Sequence, residues 1–194
     1  MEPIAVGFAM CGSFCTHHKA LAALEQVKAQ FGEVLPIVSE TAAATDTRFG
    51  TAHDLLCEVE RICDRRVVST IRDAEPLGPK KLLSALAIVP CTGNTLAKLA
   101  CGVTDSSVTM AAKAHLRNGR PVIIALATND GLSANARNVG ALLARRNVYF
   151  VPFRQDDPEG KPFSLMADFT QVSSAIQAAL TGRQIQPMLL GAAP

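Results

Sequence analysis

Apolar residues fall along this chain in two alternating rhythms. PIAVGFAM (3–10) is an unbroken apolar run closed by Gly12-Ser13, after which Leu21, Leu24 and Val27 recur at helical intervals over 14–30. The run predicts a strand and the spacing a helix, joined by a glycine turn. GEVLPIVS (32–39) predicts a second strand, and Pro36 within it, unable to donate to a ladder, points to an edge or irregular position. The polar stretch ETAAATDTRFG precedes a helix at 51–63, RRVVST (65–70) reads as a short third strand, and IRDAEPLGPKK as a loop leading to a brief helix. The rhythm then becomes regular. ALAIVP (85–90) is a buried strand, 94–101 and 106–118 are helices, and RPVIIALAT (120–128) is another strand. A helix over 133–146 turns Leu142 and Leu143 inward, NVYFVP (147–152) is the last strand, and 166–181 the last helix.

Strands that are apolar throughout are covered on both faces, and strands alternating with helices are joined by right-handed crossovers. The pattern therefore gives a three-layer, doubly wound α/β fold around a mostly parallel six-stranded sheet. With neither linker nor repeat in its 194 residues, 1–194 is a single domain with 182–194 as a C-terminal tail. Ligands of such sheets bind outside the carboxyl ends of the strands.

Composition narrows the classes of function. A net charge of +2, one Tyr and no Trp exclude the basic stripe and stacking rings of a nucleic-acid partner. No window approaches the roughly 18 apolar residues of a membrane span, and the apolar start carries an acidic Glu2 in place of a basic leader. A cytoplasmic protein with no membrane partner is expected, and its six cysteines then read as reduced thiols. Cys11, Cys15, His17 and His18 lie close enough in sequence to raise a metal site as the alternative. The C-x3-C spacing at a strand-to-helix turn, with no second ligand pair, argues for no metal.

The strand-end loops share one chemistry. CGSF (11–14), SETAA (39–43), CTGNT (91–95) and TNDG (128–131) are rich in hydroxyls, amides or glycine, and each precedes a helix. Backbone N–H groups and the positive helix end suit a phosphate there. N-capping explains any one such loop; four on one sheet edge point to a phosphorylated small molecule. GFAMCGSF has Walker-type glycine spacing, but Phe14 follows Ser13 and no lysine stands beside the second glycine, so a γ-phosphate clamp is excluded. The fingerprint G-x-G-x-x-G is absent too. A monophosphate such as FMN, held by hydroxyls and amides, fits best. Cys91, at a helix start where the dipole lowers a thiol pKa, reads as a reactive thiol or as packing beside the ligand. Asn94, Asn129 and Asp130 are placed to orient a substrate, while His53 and His115, alone on helices, read as structural. FRQDDPEGKPFS (153–164) reads as a solvated turn, or as a flap or partner contact.

GFAMCGSFCT, PCTGNTLAKLACGVTD and RPVIIALATNDGLSANARNVGALLARRNVYFVP resemble the flavoprotein family that includes the flavin-dependent cysteine decarboxylases. The shared features are a G-S turn after the first strand, a P-x3-N-T loop after a middle strand and an asparagine-bearing loop after the next. VTMAAKAHLRNGRPV, FVPFRQDDPEGKP and RQIQPML resemble one branch of that family, half of a two-component synthase of sporulating bacteria. The resemblance implies a Rossmann-like or flavodoxin-like fold, FMN as cofactor, the mother-cell cytoplasm as location, and an oxidation that aromatises a six-membered ring. It also implies a separate partner protein, the A component, carrying the NAD(P) site, and a homo-oligomer, a trimer or a multiple of it, with the apolar helix 107–116 at a contact. The family's FMN contacts fall on Gly12, Ser13 and Phe14, on Ser39 and Thr41, on Thr92, Gly93 and Thr95, and on Asp105 and Ser106. Asn94 and Asn129 take the substrate-facing positions, with Cys91 the third catalytic candidate. The essential histidine of the decarboxylases has no counterpart in STIRDAEPLGPKKLLSALAIVP, and their P-A-M-N loop is LATND here. Those departures argue against decarboxylation of a cysteinyl substrate; an FMN-dependent decarboxylase or prenyl-flavin-type enzyme, or a non-catalytic flavin-binding scaffold, stands as the alternative.

Overall fold

Five parallel strands set the frame of the computed structural model, which describes residues 4–191. Pro3 of the expected first strand and residues 192–194 of the expected tail lie outside the described residues. β1 (Ala5–Met10) pairs with β2 (Glu33–Val38) on one side and β3 (Ala85–Cys91) on the other. β3 pairs with β4 (Val122–Thr128), whose first half pairs with β5 (Val148–Phe150). The order 2-1-3-4-5 makes the chain reverse direction between β1 and β3, and an open α/β sheet holds its ligand at such a switch point.

Apolar side chains explain why these strands are central. β3 is buried at every position and β4 at all but Thr128, and burying each Leu or Ile there stabilises the fold by about 1.5–3 kcal/mol relative to exposure. On one side α1 (His17–Phe31) packs against α3 (Ala52–Cys63) and α8 (Val172–Leu180). On the other, α6 (Ser107–Arg117) packs against α4 (Ile71–Ala74) and α5 (Gly93–Cys101), and α5 against α7 (Ala136–Leu143). α2 (Glu40–Ala44) occupies the start of the stretch read as polar loop, because Ser39 caps it by accepting the Ala42 N–H.

β2 is an edge strand, as Pro36 requires. Beyond it the expected strand 65–70 contracts to a single bridge, Ile37 to Val68. The Glu60 carboxylate accepts the Val67 N–H at 2.9 Å and Thr70 caps α4, so both ends of the segment are held away from a ladder. Two short antiparallel strands were not foreseen: β6 (Phe153–Arg154) pairs with β7 (Leu165–Ala167), and β7 with the end of β4, giving seven strands. The 153–164 segment is thus a β-strand and its hairpin loop. The last helix starts later than 166, because Asp168 accepts the Thr170 N–H and hydroxyl and begins a 3-10 turn before α8.

One further expectation is corrected. Leu142 is 1% exposed but Leu143 is 41% exposed, since 3.6-residue spacing points adjacent residues of α7 in different directions. The tail is partly anchored: Gln184 pairs with both backbone groups of Phe150, and Met188 and Leu190 pair with Phe153. α6 buries Val108, Ala111 and Ala112 within its own chain and leaves Met110 and Leu116 partly exposed.

Candidate functional site

A cavity of about 280 Å³ opens where β1, β2 and β3 end. β1 contributes Cys11 and Gly12. A methyl group on Gly12 would lie 3.4 Å from Thr92 Cγ2, so a larger side chain there would narrow the cavity. Ser13, next along, sits in the left-handed region (φ 60°, ψ 48°) and donates its hydroxyl to the Ala127 carbonyl at 2.9 Å. That bond ties the β1 turn to the end of β4.

β2 contributes Ser39, Glu40 and Thr41. The Glu40 carboxylate accepts the Ser107 N–H at 3.0 and 3.1 Å and the Ser107 hydroxyl at 3.4 Å. The chain's own anion therefore serves the first amide of α6. From β3 come Thr92, Asn94, Thr95 and Lys98. Thr92 caps α5 by accepting the Thr95 N–H at 3.1 Å, and the Thr95 hydroxyl donates to Cys11 Sγ at 3.3 Å. Lys98, about one turn beyond Asn94, brings an ammonium to the rim and pairs with Asp105 at 2.9 Å. Asp105 and Ser106 close the last wall, Ser106 forming a reciprocal capping box with Thr109.

Eight of the residues named from sequence thus line one cavity: Gly12, Ser39, Thr41, Thr92, Asn94, Thr95, Asp105 and Ser106. Five do not. Ser13 faces Ala127, and Phe14 stacks obliquely on His17 with ring centres 5.2 Å apart, outside the cavity. Gly93 is buried against the β4 loop, where an added Cβ would meet Thr128 Oγ1 at 2.5 Å, Asn135 Nδ2 at 2.6 Å and Asp130 Oδ1 at 2.8 Å. Gly93 is a close-packing glycine. Asn129 is exposed and outside the lining.

Cys91 is the clearest correction. It is fully buried, and burial, reinforced by neighbouring Cys11, pushes its thiol well above the ordinary range. Desolvation overrides the helix-start dipole and keeps the thiol protonated. Cys11 is likewise raised to about 11 by burial, against the opposing hydrogen bond from Thr95 and charge of Lys98. Neither is a nucleophile in this state.

Cys11, Glu40 and Lys98 were missed from sequence. Lys98 had a signal, since Asn94 and Lys98 are four residues apart and share a helix face. Glu40 had none, because its partner lies 67 residues away. Also unforeseen is the packing behind Gly93: Thr128 donates to Asp130, Asn135 donates to both Asp130 oxygens at 2.9 and 2.8 Å, and Asn138 donates to Asn135 at 2.8 Å. Among the described residues no three His, Cys, Asp or Glu side chains form a group able to hold a metal ion. No helix among them is long and apolar enough to cross a membrane.

Residues 3–181 match the Flavoprotein family. The chain belongs to that family. It is 40% identical over 185 residues to the B component of dipicolinate synthase from Bacillus subtilis (strain 168), covering 95% of this chain and 92% of that protein. The crystal structure of the dipicolinate synthase B component from Bacillus halodurans C superposes with a TM-score of 0.89 at 41% identity, covering 100% of both chains. A dodecameric FMN-dependent UbiX-like decarboxylase from Escherichia coli O157:H7 shares the fold with a TM-score of 0.60 at 22% identity, over 76% of this chain and 79% of that one.

Proposed function

We propose that the protein works as the B component of a dipicolinate synthase, with the dipicolinate synthase A component as its partner, in the mother-cell cytoplasm of a sporulating bacterium. Together they oxidise the dihydrodipicolinate-pathway intermediate to dipicolinate. The observation that carries this reading is the likeness to two dipicolinate synthase B components at 40 and 41% identity over nearly the whole chain. The decarboxylase neighbour, at 22%, supports the fold alone.

The cavity at the switch point supports FMN as the cofactor. A phosphate monoester on a polyol chain needs hydroxyl and amide donors and a cation. Ser39, Thr41 and Thr92 offer the hydroxyls, the Gly12 turn the backbone amides, and Lys98 the charge. Glu40, the one opposing charge on the β2 side, is drawn to Ser107. FMN supplies a two-electron acceptor when bound. Around it, Thr92 and Thr95 fix the first turn of α5, and Asn94 presents an amide donor and acceptor to the substrate. NAD(P) belongs on the A component, and a homo-oligomer, a trimer or a multiple of it, covers the exposed mouth at Asn94.

Loss of carbon dioxide from a cysteinyl substrate is the weaker reading, because no histidine lines the cavity. Purified protein mixed with the A component, the pathway intermediate and a nicotinamide cofactor should yield dipicolinate, and its absence would overturn the proposal. The visible spectrum of the protein with FMN reads the cofactor directly, and light scattering reads the assembly. Asn94→Ala separates catalysis from scaffolding: turnover should fall while assembly with the A component persists, and full turnover would favour a non-catalytic role.

A further inference from the structure

α3 turns one face away from the fold. Leu55, Val59 and Ile62 bury its inner side, and its outer side carries His53 and Cys57, both exposed. Side chains four residues apart on a helix are neighbours, and here they meet: Cys57 Sγ and His53 Nε2 stand 3.5 Å apart. We propose that this pair is half of a zinc site, closed by the same pair from a second copy of the chain.

The distance carries the argument. Zinc bonds of about 2.3 Å to sulfur and about 2.0–2.1 Å to nitrogen, at a tetrahedral angle, set the two ligand atoms about 3.5–3.6 Å apart. The helix therefore holds both donors at the edge length of such a site before a metal arrives. Thiolate and imidazole suit zinc, whereas magnesium and calcium take oxygen ligands. On binding, Cys57 releases its thiol proton to solvent and coordinates as the thiolate, and His53 coordinates through Nε2 as the neutral imidazole. The surrounding charge favours a cation. Glu60 and Asp64 continue the same helix face, and nearby Arg61 is matched by Glu58 at 2.7 Å and Glu25 at 3.6 Å.

Two ligands leave a tetrahedral site open, and among the described residues no third His, Cys, Asp or Glu joins the pair. A two-fold axis through the metal completes a Cys2His2 set. Of the two ways such an axis can pair helices, a parallel crossing sets Glu60 and Asp64 against their own copies. An antiparallel crossing centred on the pair instead brings the loop before α3, with Arg48 and Phe49, towards the end of the second copy's α3, with its Glu60 and Asp64. Arg48 and Asp64 form no ion pair among the described residues, and Phe49 is 54% exposed. The antiparallel arrangement therefore matches charge with opposite charge and covers an exposed aromatic ring.

The test uses the full chain without an affinity tag, reduced and free of FMN, with zinc chloride as the probe. In light scattering the mass should double as zinc is added, at one metal per two chains, and return when the zinc is chelated. Zinc should also slow iodoacetamide labelling of Cys57 and leave Cys101, exposed elsewhere, unchanged. Cys57→Ser and His53→Ala should each abolish the doubling while melting like the parent protein, since both side chains are exposed; Cys15→Ser should keep it. Arg48→Glu should raise the zinc concentration at half-doubling about fivefold, because like charges then face each other at both ends of the crossing. No mass change with zinc in excess, one metal per chain without assembly, or doubling that survives in Cys57→Ser or His53→Ala overturns the inference. An unchanged half-point in Arg48→Glu overturns the antiparallel arrangement.

Discussion

Replacing Gly93 with alanine puts a methyl group where the structure has no room for one. Its Cβ would stand 2.5–2.8 Å from Thr128 Oγ1, Asn135 Nδ2 and Asp130 Oδ1, and ordinary contact begins at 3.4 Å. Each atom must therefore retreat by 0.6–0.9 Å, the difference between those distances. None is the free end of a long side chain. Asn135 is 6% exposed and bonded to both Asp130 oxygens, and Asn138, 7% exposed, holds Asn135 in turn.

Overpacking of this kind costs about 1–3 kcal/mol, and breaking one hydrogen bond to a carboxylate about 1.5–3 kcal/mol. Alanine recovers about 0.4–1 kcal/mol by stiffening the unfolded chain. The expected net loss is about 2–4 kcal/mol, which in a chain of this length lowers Tm by about 5–15 °C. Urea titration should show the midpoint falling with m unchanged, the mark of a stability change. Adding Thr128→Ala removes the nearest obstructing atom and should recover part of the loss, a coupling that independent sites lack. A Gly93→Ala protein within about 0.5 kcal/mol of the parent, the range of an ordinary surface substitution, would refute the close-packing argument.

If Lys98, paired with Asp105 in the structure, serves the FMN phosphate as proposed, Lys98→Met should weaken FMN binding about tenfold or more while changing riboflavin binding little, since riboflavin lacks the phosphate; flavin fluorescence quenching measures both. Native-state labelling at pH 8 should modify Cys15, Cys57 and Cys101 and spare Cys11, Cys63 and Cys91 until the protein unfolds; rapid labelling of Cys91 would contradict its burial. Burial, with Arg120 as the second cause, lowers the His115 pKa from 6.5 to about 4, and its Nε2 has no partner. The unfolded chain therefore takes up this proton first as pH falls. The neutral histidine's contribution is whole above pH 6.5 and is lost towards pH 4, by up to about 3 kcal/mol. His115→Phe should flatten that part of the stability curve in urea titrations across this pH window.

The parallel frame was legible because β1, β3 and β4 carry apolar residues on both faces, a pattern that holds whatever surrounds it. β6 and β7 were not, since strands of 2 and 3 residues are too short for a period and exist through their pairing with each other and with β4. The cradle divides in the same way. Ser39, Thr92 and Ser106 declared themselves because capping is a local bond, made within three residues of the donor. Glu40 could not, since its role is fixed by Ser107 across the cavity. Cys91 shows which force decides when a local rule and a tertiary one conflict. A helix dipole acting on a thiol is worth about 0.3–1 kcal/mol, and up to about 2 in partly buried geometries. Full burial moves a pKa by up to about 3–5 units, each worth about 1.4 kcal/mol. A residue at a helix start is therefore an anion site only where the sheet leaves it open to solvent or ligand, and at the end of β3 that condition excludes Cys91 and admits Thr92 one residue later.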